Sequence, residues 1–370
     1  MILYIVVFAI IIALLVNWMI HAYRKSWSKR IDLNIEFGKD TLFEGENGEL
    51  IQTVVNRKFL PLWWADLRFC VPKFLKFDAG VSIGYDYYRK DTISVLSYEM
   101  VKKSLPFTAV KRGYYTIKKA ELLSSDMLLQ YMFIKEYPFF TELYVFPEIK
   151  SIRKFKVDFR KIVGEIITKR HIIEDPFEFR NIRNYYPFDS LKTVNWNASA
   201  KTGEIMVNHY NYTSSQEIII LLNLDGYNIW DKQEIREDLI RIAAYFTRSL
   251  IINGIPVGLV SNGCDSVTGE EIFAPCKNGS NQELQIFKLF ARITADSITR
   301  PFTQVIDDKI INHNNSHYIL ISYYAGEDLQ AKVHEVVAGG YSLQWLLIKD
   351  RVDNIAIKKQ KNMIICEVEY

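Results

Sequence analysis

Cysteine is scarce in this chain: four in 370 residues, at Cys70, Cys264, Cys276 and Cys366. They are scattered, and no pair has the spacing of a disulfide framework or a CxxC motif, which excludes a disulfide-stapled secreted scaffold. Buried free thiols in a reducing compartment are the expected reading. Charge of one sign is equally lacking. Forty-six basic residues stand against forty-three acidic ones, for a net charge of +3. A nucleic-acid protein would concentrate positive charge on one face, so no nucleic-acid partner is expected. There is no phosphate-binding G-x-x-x-x-G-K-[ST] loop, no nucleophile elbow and no dinucleotide fingerprint. His313 and His317 are four apart, but Asn314, Asn315 and Ser316 between them read as loop, and no Glu supplies the base of a zinc helix. No cofactor is expected, and the chain reads as a non-enzyme.

What the sequence does have is apolar bulk. Hydrophobic residues make up 49%, with 22 Tyr and 22 Phe, enough for large cores. The length exceeds one typical domain, so at least two folded domains are expected. Residues 2–20 are almost wholly apolar, interrupted by Asn17, and at the helical rise they span about 29 Å. Trp18, Tyr23 and Trp27 sit where an interfacial aromatic belt would form, and Arg24, Lys25, Lys29 and Arg30 follow at once. The pattern predicts one membrane-spanning helix, with the N-terminus outside and the bulk of the chain in the cytoplasm.

Residues 31–150 read as strands. Runs at 32–37, 49–55, 65–71, 94–100, 114–122 and 142–147 alternate or are β-branched, with Gly, Asn and Pro between them. Short strands at such intervals predict a sandwich-like module. From residue 215 onward, strand and helix patterns alternate. Residues 217–224 form a continuous apolar run of strand length, as in the centre of a parallel sheet. Ile235, Leu239, Ile242, Phe246 and Leu250 make one helical stripe, and Gly254 ends it. Further strands are predicted at 256–260, 317–322 and 342–348. Further helices are predicted through Leu284, Phe287, Phe290 and Ile293, and over 329–337. Alternation of this kind predicts an open α/β sheet.

The densest pattern lies between the two regions. Arg183, Tyr185, Pro187 and Asp189 are followed by Trp196, Ser199, Ala200, Lys201 and Gly203. Pro187 restricts the residue before it, and Asp189 stands where a helix cap belongs. Leu191, Val194 and Ala198 recur at helical spacing, Gly203 is a stop, and a strand is predicted over 204–211. Arg183 and Lys201 are near enough in sequence to pair with Asp189. Two readings stand side by side: a buried brace of Arg183, Asp189 and Trp196, or a loop that contacts a partner or ligand.

This run, Arg-x-Tyr-x-Pro-x-Asp and then Trp-x-x-Ser-Ala-Lys-x-Gly, resembles the signature of the DUF58 family. The chain departs from the family at Phe188, where glycine is usual, and at Lys192 and Lys201, where arginine is usual. Arg112-Gly113 and Ser125-Asp126 resemble features found ahead of that signature. The resemblance implies a multidomain fold class. A transmembrane anchor (1–30) would lead to a β-sandwich module (31–150), the signature segment (151–214) and a von Willebrand factor A-like α/β domain with an open central sheet (215–370). In such a domain a metal-ion-dependent adhesion site follows the first central strand. The matching positions are Asn223, Asp225 and Tyr227, a poor oxygen set for a hard cation, so no metal is expected. The resemblance further implies a membrane-anchored adaptor or scaffold working with a MoxR-type AAA+ ATPase in assembly or maturation of complexes. Two alternatives are a cell-envelope hydrolase with its site at the signature loop, and metal-dependent ligand binding by the α/β domain.

Overall fold

The structure, a computed structural model, describes residues 2–77, 81–83, 86–125, 132–149, 159, 162–164, 174–186, 194–212, 217–227, 233–310, 316–350 and 362–368. The chain divides into two compact units, Met1–Glu148 and Ile149–Tyr370.

The first unit is a helix followed by a two-sheet β-sandwich. One sheet is antiparallel, in the order β1 (Ile31–Phe37), β3 (Asn47–Asn56), β8 (Met100–Ala109), β5 (Leu75–Phe77). The other has the order β2 (Thr41–Phe43), β10 (Met132–Phe146), β9 (Gly113–Ser125), β4 (Leu62–Pro72), β7 (Asp86–Val95), β6 (Val81–Ile83). Alternation along each strand sends one row of side chains inward. Ile35, Leu50 and Phe107 from the first sheet meet Leu67, Phe69, Val71 and Ile117 from the second in one apolar cluster. Full burial of each such side chain contributes about 1.5–3 kcal/mol. The strand predicted over 94–100 is broken instead. Val95 ends β7 and Met100 begins β8, and Tyr98 turns the chain between them at φ 58°.

The expected fold class is corrected, beginning with its anchor. Residues 2–26 do form a helix, α1 (Ile2–Ser26), yet among the described residues no helix is long and apolar enough to cross a membrane. Two of the three aromatics expected at a lipid interface are buried in protein. Tyr23 and Trp27 keep 5% and 6% exposure, the Tyr23 hydroxyl meets Ser124 Oγ at 2.9 Å, and Trp27 stacks on Phe133 at 5.9 Å. The end of α1 is thus held by the sandwich through Tyr23, while Tyr4, Phe8, Leu14 and Trp18 remain uncovered. Lys58 donates to the Trp27 and Ser26 carbonyls there, and burial lowers its pKa to about 8. The balance of the fold is also different: nineteen strands stand against six helices among the described residues, so the chain is mostly β.

In the second unit a hairpin of β11 (Glu174–Asn184) and β12 (Met206–Tyr212) encloses a short helix, α2 (Trp196–Thr202). A seven-stranded sheet follows. Its path is β15 (Glu271–Lys277), β14 (Val257–Asp265), β13 (Glu217–Leu222), β17 (Ser316–Ser322), β18 (Ser342–Asp350), β19 (Met363–Val368), with β16 (Ile293–Ile298) also on β14. The strands from β14 to β19 along that path are parallel, and β15 and β16 run antiparallel to β14. Four helices accompany the sheet: α3 (Gln233–Ile252), α4 (Ser280–Arg292), α5 (Phe302–Ile310) and α6 (Glu327–Ala338). Ile219 and Leu221 of β13 join Phe302, Val305, Leu329 and Val333 of α5 and α6 in one cluster. The intervening Ile218, Ile220 and Leu222 point to the opposite face. Every residue of the predicted stripe on α3 is buried. The stripe predicted on α4 is shifted: Leu284 is 42% exposed, Ile286 takes the inward position, and Ile293 opens β16. Gly258 is required for packing, because a Cβ there would meet Cys276 Sγ at 2.7 Å. The thiols are not uniformly buried either: Cys70 is exposed, Cys264 and Cys276 are half-buried, and Cys366 is buried.

Candidate functional site

The hairpin carrying the densest motif is built around α2. The predicted cap, Asp189, and Pro187 lie outside the described residues. The cap of α2 is Asn195, whose Oδ1 accepts the Ala198 N–H at 2.9 Å and whose Nδ2 donates to Asn208 Oδ1 at 2.8 Å. The helix therefore starts later than its apolar spacing predicts, and Val194 forms a bridge to Val207 instead. Gly203 ends it in the left-handed region at φ 77°, as its position after Lys201 suggests.

Ser199 is the link between helix and strand. Its Oγ donates to the Asn195 carbonyl at 2.8 Å and accepts the Met206 N–H at 2.8 Å. Arg183 donates to the Asn184 carbonyl at 3.0 Å and lies over the Tyr186 ring at 5.3 Å. Tyr185 N–H meets the Ile205 carbonyl at 2.9 Å from one side, and Asn195 N–H meets the Met206 carbonyl at 2.8 Å from the other. These bonds tie the backbone that carries Tyr186 and Trp196 to two consecutive residues beginning at Ile205. All three side chains are exposed: Trp196 at 70%, Tyr186 at 52% and Ile205 at 49%. Trp196 is therefore no member of a buried brace. Lys201, on the last turn of α2, is exposed as well.

A second cluster lies at the carboxyl edge of the seven-stranded sheet, where ligands of α/β folds bind. Asn223, Asp225 and Tyr227 follow β13. Asn223 Oδ1 accepts the Asp225 N–H at 2.8 Å, and Asn223 Nδ2 is buried with no acceptor among the described residues. Asp225 Oδ1 accepts from Asn262 Nδ2 at 2.6 Å, and Oδ2 accepts the Phe302 N–H at 2.9 Å. Burial raises the Asp225 carboxyl pKa, although those two hydrogen bonds pull the other way. Tyr227 Oη accepts the Ala325 N–H at 2.7 Å, and its ring sits 5.4 Å from Tyr323 and 5.0 Å from Tyr324. Tyr324 in turn donates to Asp328 Oδ1 at 2.8 Å, and burial with that bond pushes its hydroxyl up to about 12.

Asp225 and Tyr227 thus tie the loop after β13 to β14 itself and to the segments after β16 and β17. Asn262, Phe302 and Ala325 were not singled out from the sequence. The polar pair Ser261-Asn262 interrupting the apolar run of β14 is a signal for Asn262, and none points to Phe302 or Ala325. Among the described residues no group of three His, Cys, Asp or Glu side chains could hold a metal ion.

Residues 181–339 match the model of a family described as "Protein of unknown function DUF58". That span holds the described signature residues Arg183, Tyr185, Trp196, Ser199 and Lys201, and the sheet-edge cluster. No curated protein matches the chain. Among solved structures, the CARDB domain of the PF1109 protein from Pyrococcus furiosus is 18% identical, covering 32% of this chain and 94% of its own, with a TM-score of 0.23. The ASH/PapD-like domain of human CEP192 is 16% identical, covering 33% of this chain and 88% of its own, with a TM-score of 0.22. A cohesin module from a Clostridium perfringens family 33 glycoside hydrolase is 8% identical, covering 32% of this chain and 97% of its own, with a TM-score of 0.23.

Proposed function

Because this chain is a DUF58 family protein, we propose that it is a non-enzymatic adaptor whose docking surface is the α2 hairpin. The observation that carries the reading is the 70% exposure of Trp196. A large amphipathic ring left in water on a fixed support has the composition and placement of an interface anchor. The support is supplied by Asn195 and Ser199, which fix α2 to β12, so little ordering entropy remains to be lost on binding. Arg183 over Tyr186 adds a second amphipathic group in the same hairpin region. The partner class is a MoxR-type AAA+ ATPase acting in complex assembly or maturation, as the family resemblance implies.

The test is co-purification of the full chain with such an ATPase, with and without ATP, comparing wild type, Trp196→Ala and Arg183→Ala. Loss of the partner in Trp196→Ala with an unchanged Tm supports docking. Retention of the partner in both variants removes the hairpin from the account.

A further inference from the structure

The six-stranded sheet of the first unit is open along one seam. β4 and β9 pair from Ala65↔Ser124 to Arg68↔Glu121, and the ladder stops there. Both strands continue beyond that point, β4 to Pro72 and β9 back to Gly113. Each keeps its outer neighbour over the same stretch. Phe69 to Pro72 pair with Arg89 to Asp86 of β7, while Lys119 and Ile117 pair with Pro138 and Thr141 of β10. The two inner edges therefore part instead of pairing. Between them lies a cleft of about 310 Å³, lined by residues 68–70, 72 and 116–121. Among these, Phe69, Ile117 and Ala120 belong to the sandwich core and are 1–2% exposed.

Sheets normally satisfy inner edges by pairing, and an unpaired edge is a template for another strand. This seam offers two such edges facing each other. Its charge is biased: Arg68, Lys118 and Lys119 line it against the single acid Glu121. Among the described residues Arg68 Nε is buried with no hydrogen-bond partner, so one charge-assisted donor is open to a ligand carboxylate. We propose that the seam between β4 and β9 takes an extended acidic peptide segment of a partner protein as an added strand. Its backbone would extend the two ladders, and a carboxylate would meet Arg68 and Lys118. Strand addition draws affinity from main-chain bonds and specificity from alternate side chains. The proposal is independent of the hairpin reading, since it concerns the other unit.

The probe is a short fluorescein-labelled peptide of alternating valine and glutamate, titrated into the full chain and read by anisotropy. Saturable binding is expected, and loss of one charge-assisted pair in Lys118→Glu should weaken it about tenfold. The same peptide N-methylated at alternate residues, or with lysine for glutamate, should not bind. Hydrogen exchange with bound peptide should show new protection at residues 69–72 and 116–120. Absence of saturable binding, indifference to N-methylation, or protection confined to other residues would each overturn the proposal. Lys118 is exposed, so its substitution leaves the fold intact.

Discussion

The Asp225 carboxylate caps α5 from across the sheet edge: its Oδ2 accepts the Phe302 N–H at 2.9 Å, from a residue 77 positions further along the chain. The one carboxylate among the three positions that match an adhesion site is here a structural acceptor. Both of its oxygens are engaged, one by a helix N-terminus and one by the Asn262 amide. Its consequences are open to measurement.

The first concerns pH. Burial raises the folded pKa of Asp225 above the ordinary 3.8. Between that ordinary value and the raised one, the folded state holds a proton that the unfolded chain has released. Stability contributed at Asp225 therefore falls as pH rises through this window. Asp225→Asn removes the titration, so the variant should gain on wild type in urea midpoint as pH is taken from about 4 to 7. Parallel pH curves for the two proteins would contradict the assignment.

Asp91 should behave in the opposite sense. Burial alone would raise its pKa, but hydrogen bonds from Arg89, Gln52 and Lys103, at 2.8, 3.0 and 3.0 Å, together hold it below 3.8. Its stabilisation is complete above 3.8 and is lost as pH falls through the depressed folded value. Asp91→Ala should cost about 2–3 kcal/mol at neutral pH. The cost should shrink in acid, as read by urea unfolding at several pH values.

Divalent cations should not bind at the sheet edge. Asn223 is an amide already accepting a backbone N–H, and Tyr227 accepts the Ala325 N–H. Calorimetric titration with Mg²⁺, Mn²⁺ and Ca²⁺ should give no saturable heat. Micromolar binding that disappears in Asp225→Ala would restore the metal reading.

Ser199→Ala separates support from contact. The hydroxyl joins α2 to β12 through Asn195 and Met206, so its loss should cost about 1 kcal/mol. Trp196→Ala, at an exposed site, should change stability by less than about 0.5 kcal/mol. Equal losses in the two variants, measured by thermal unfolding, would mean that the Trp196 ring packs in solution.

The Asp265 carboxylate accepts Arg292 at both oxygens and also the Val267 N–H at 2.8 Å. Asp265→Ala should cost about 2–3 kcal/mol by leaving the Arg292 guanidinium without its acceptor. Arg292→Lys, with Asp265 intact, should cost less than that, because the charge remains while the fork geometry goes. No loss at all in Arg292→Lys would show that charge alone matters at this site.

Local pattern determined those elements whose neighbours agree with it. The stripe from Ile235 to Leu250 and the apolar run of β13 are legible because the apolar residues of each are buried without exception. Gly203 is legible because a left-handed helix stop favours glycine whatever surrounds it. Tertiary structure decided the rest. The helix before Gly203 starts at Trp196 because Asn195 finds both a helix N–H and Asn208 across the hairpin, a pairing invisible in linear spacing. Tyr23 and Trp27 read as interfacial aromatics, and only the position of Ser124 and Phe133, a hundred residues on, makes them core. Asp225 reads as a remnant ligand position, and only the return of the chain at Phe302 makes it a cap. Periodicity reports which face of a segment is apolar; what covers that face, or meets a lone polar atom, is fixed by segments distant in sequence.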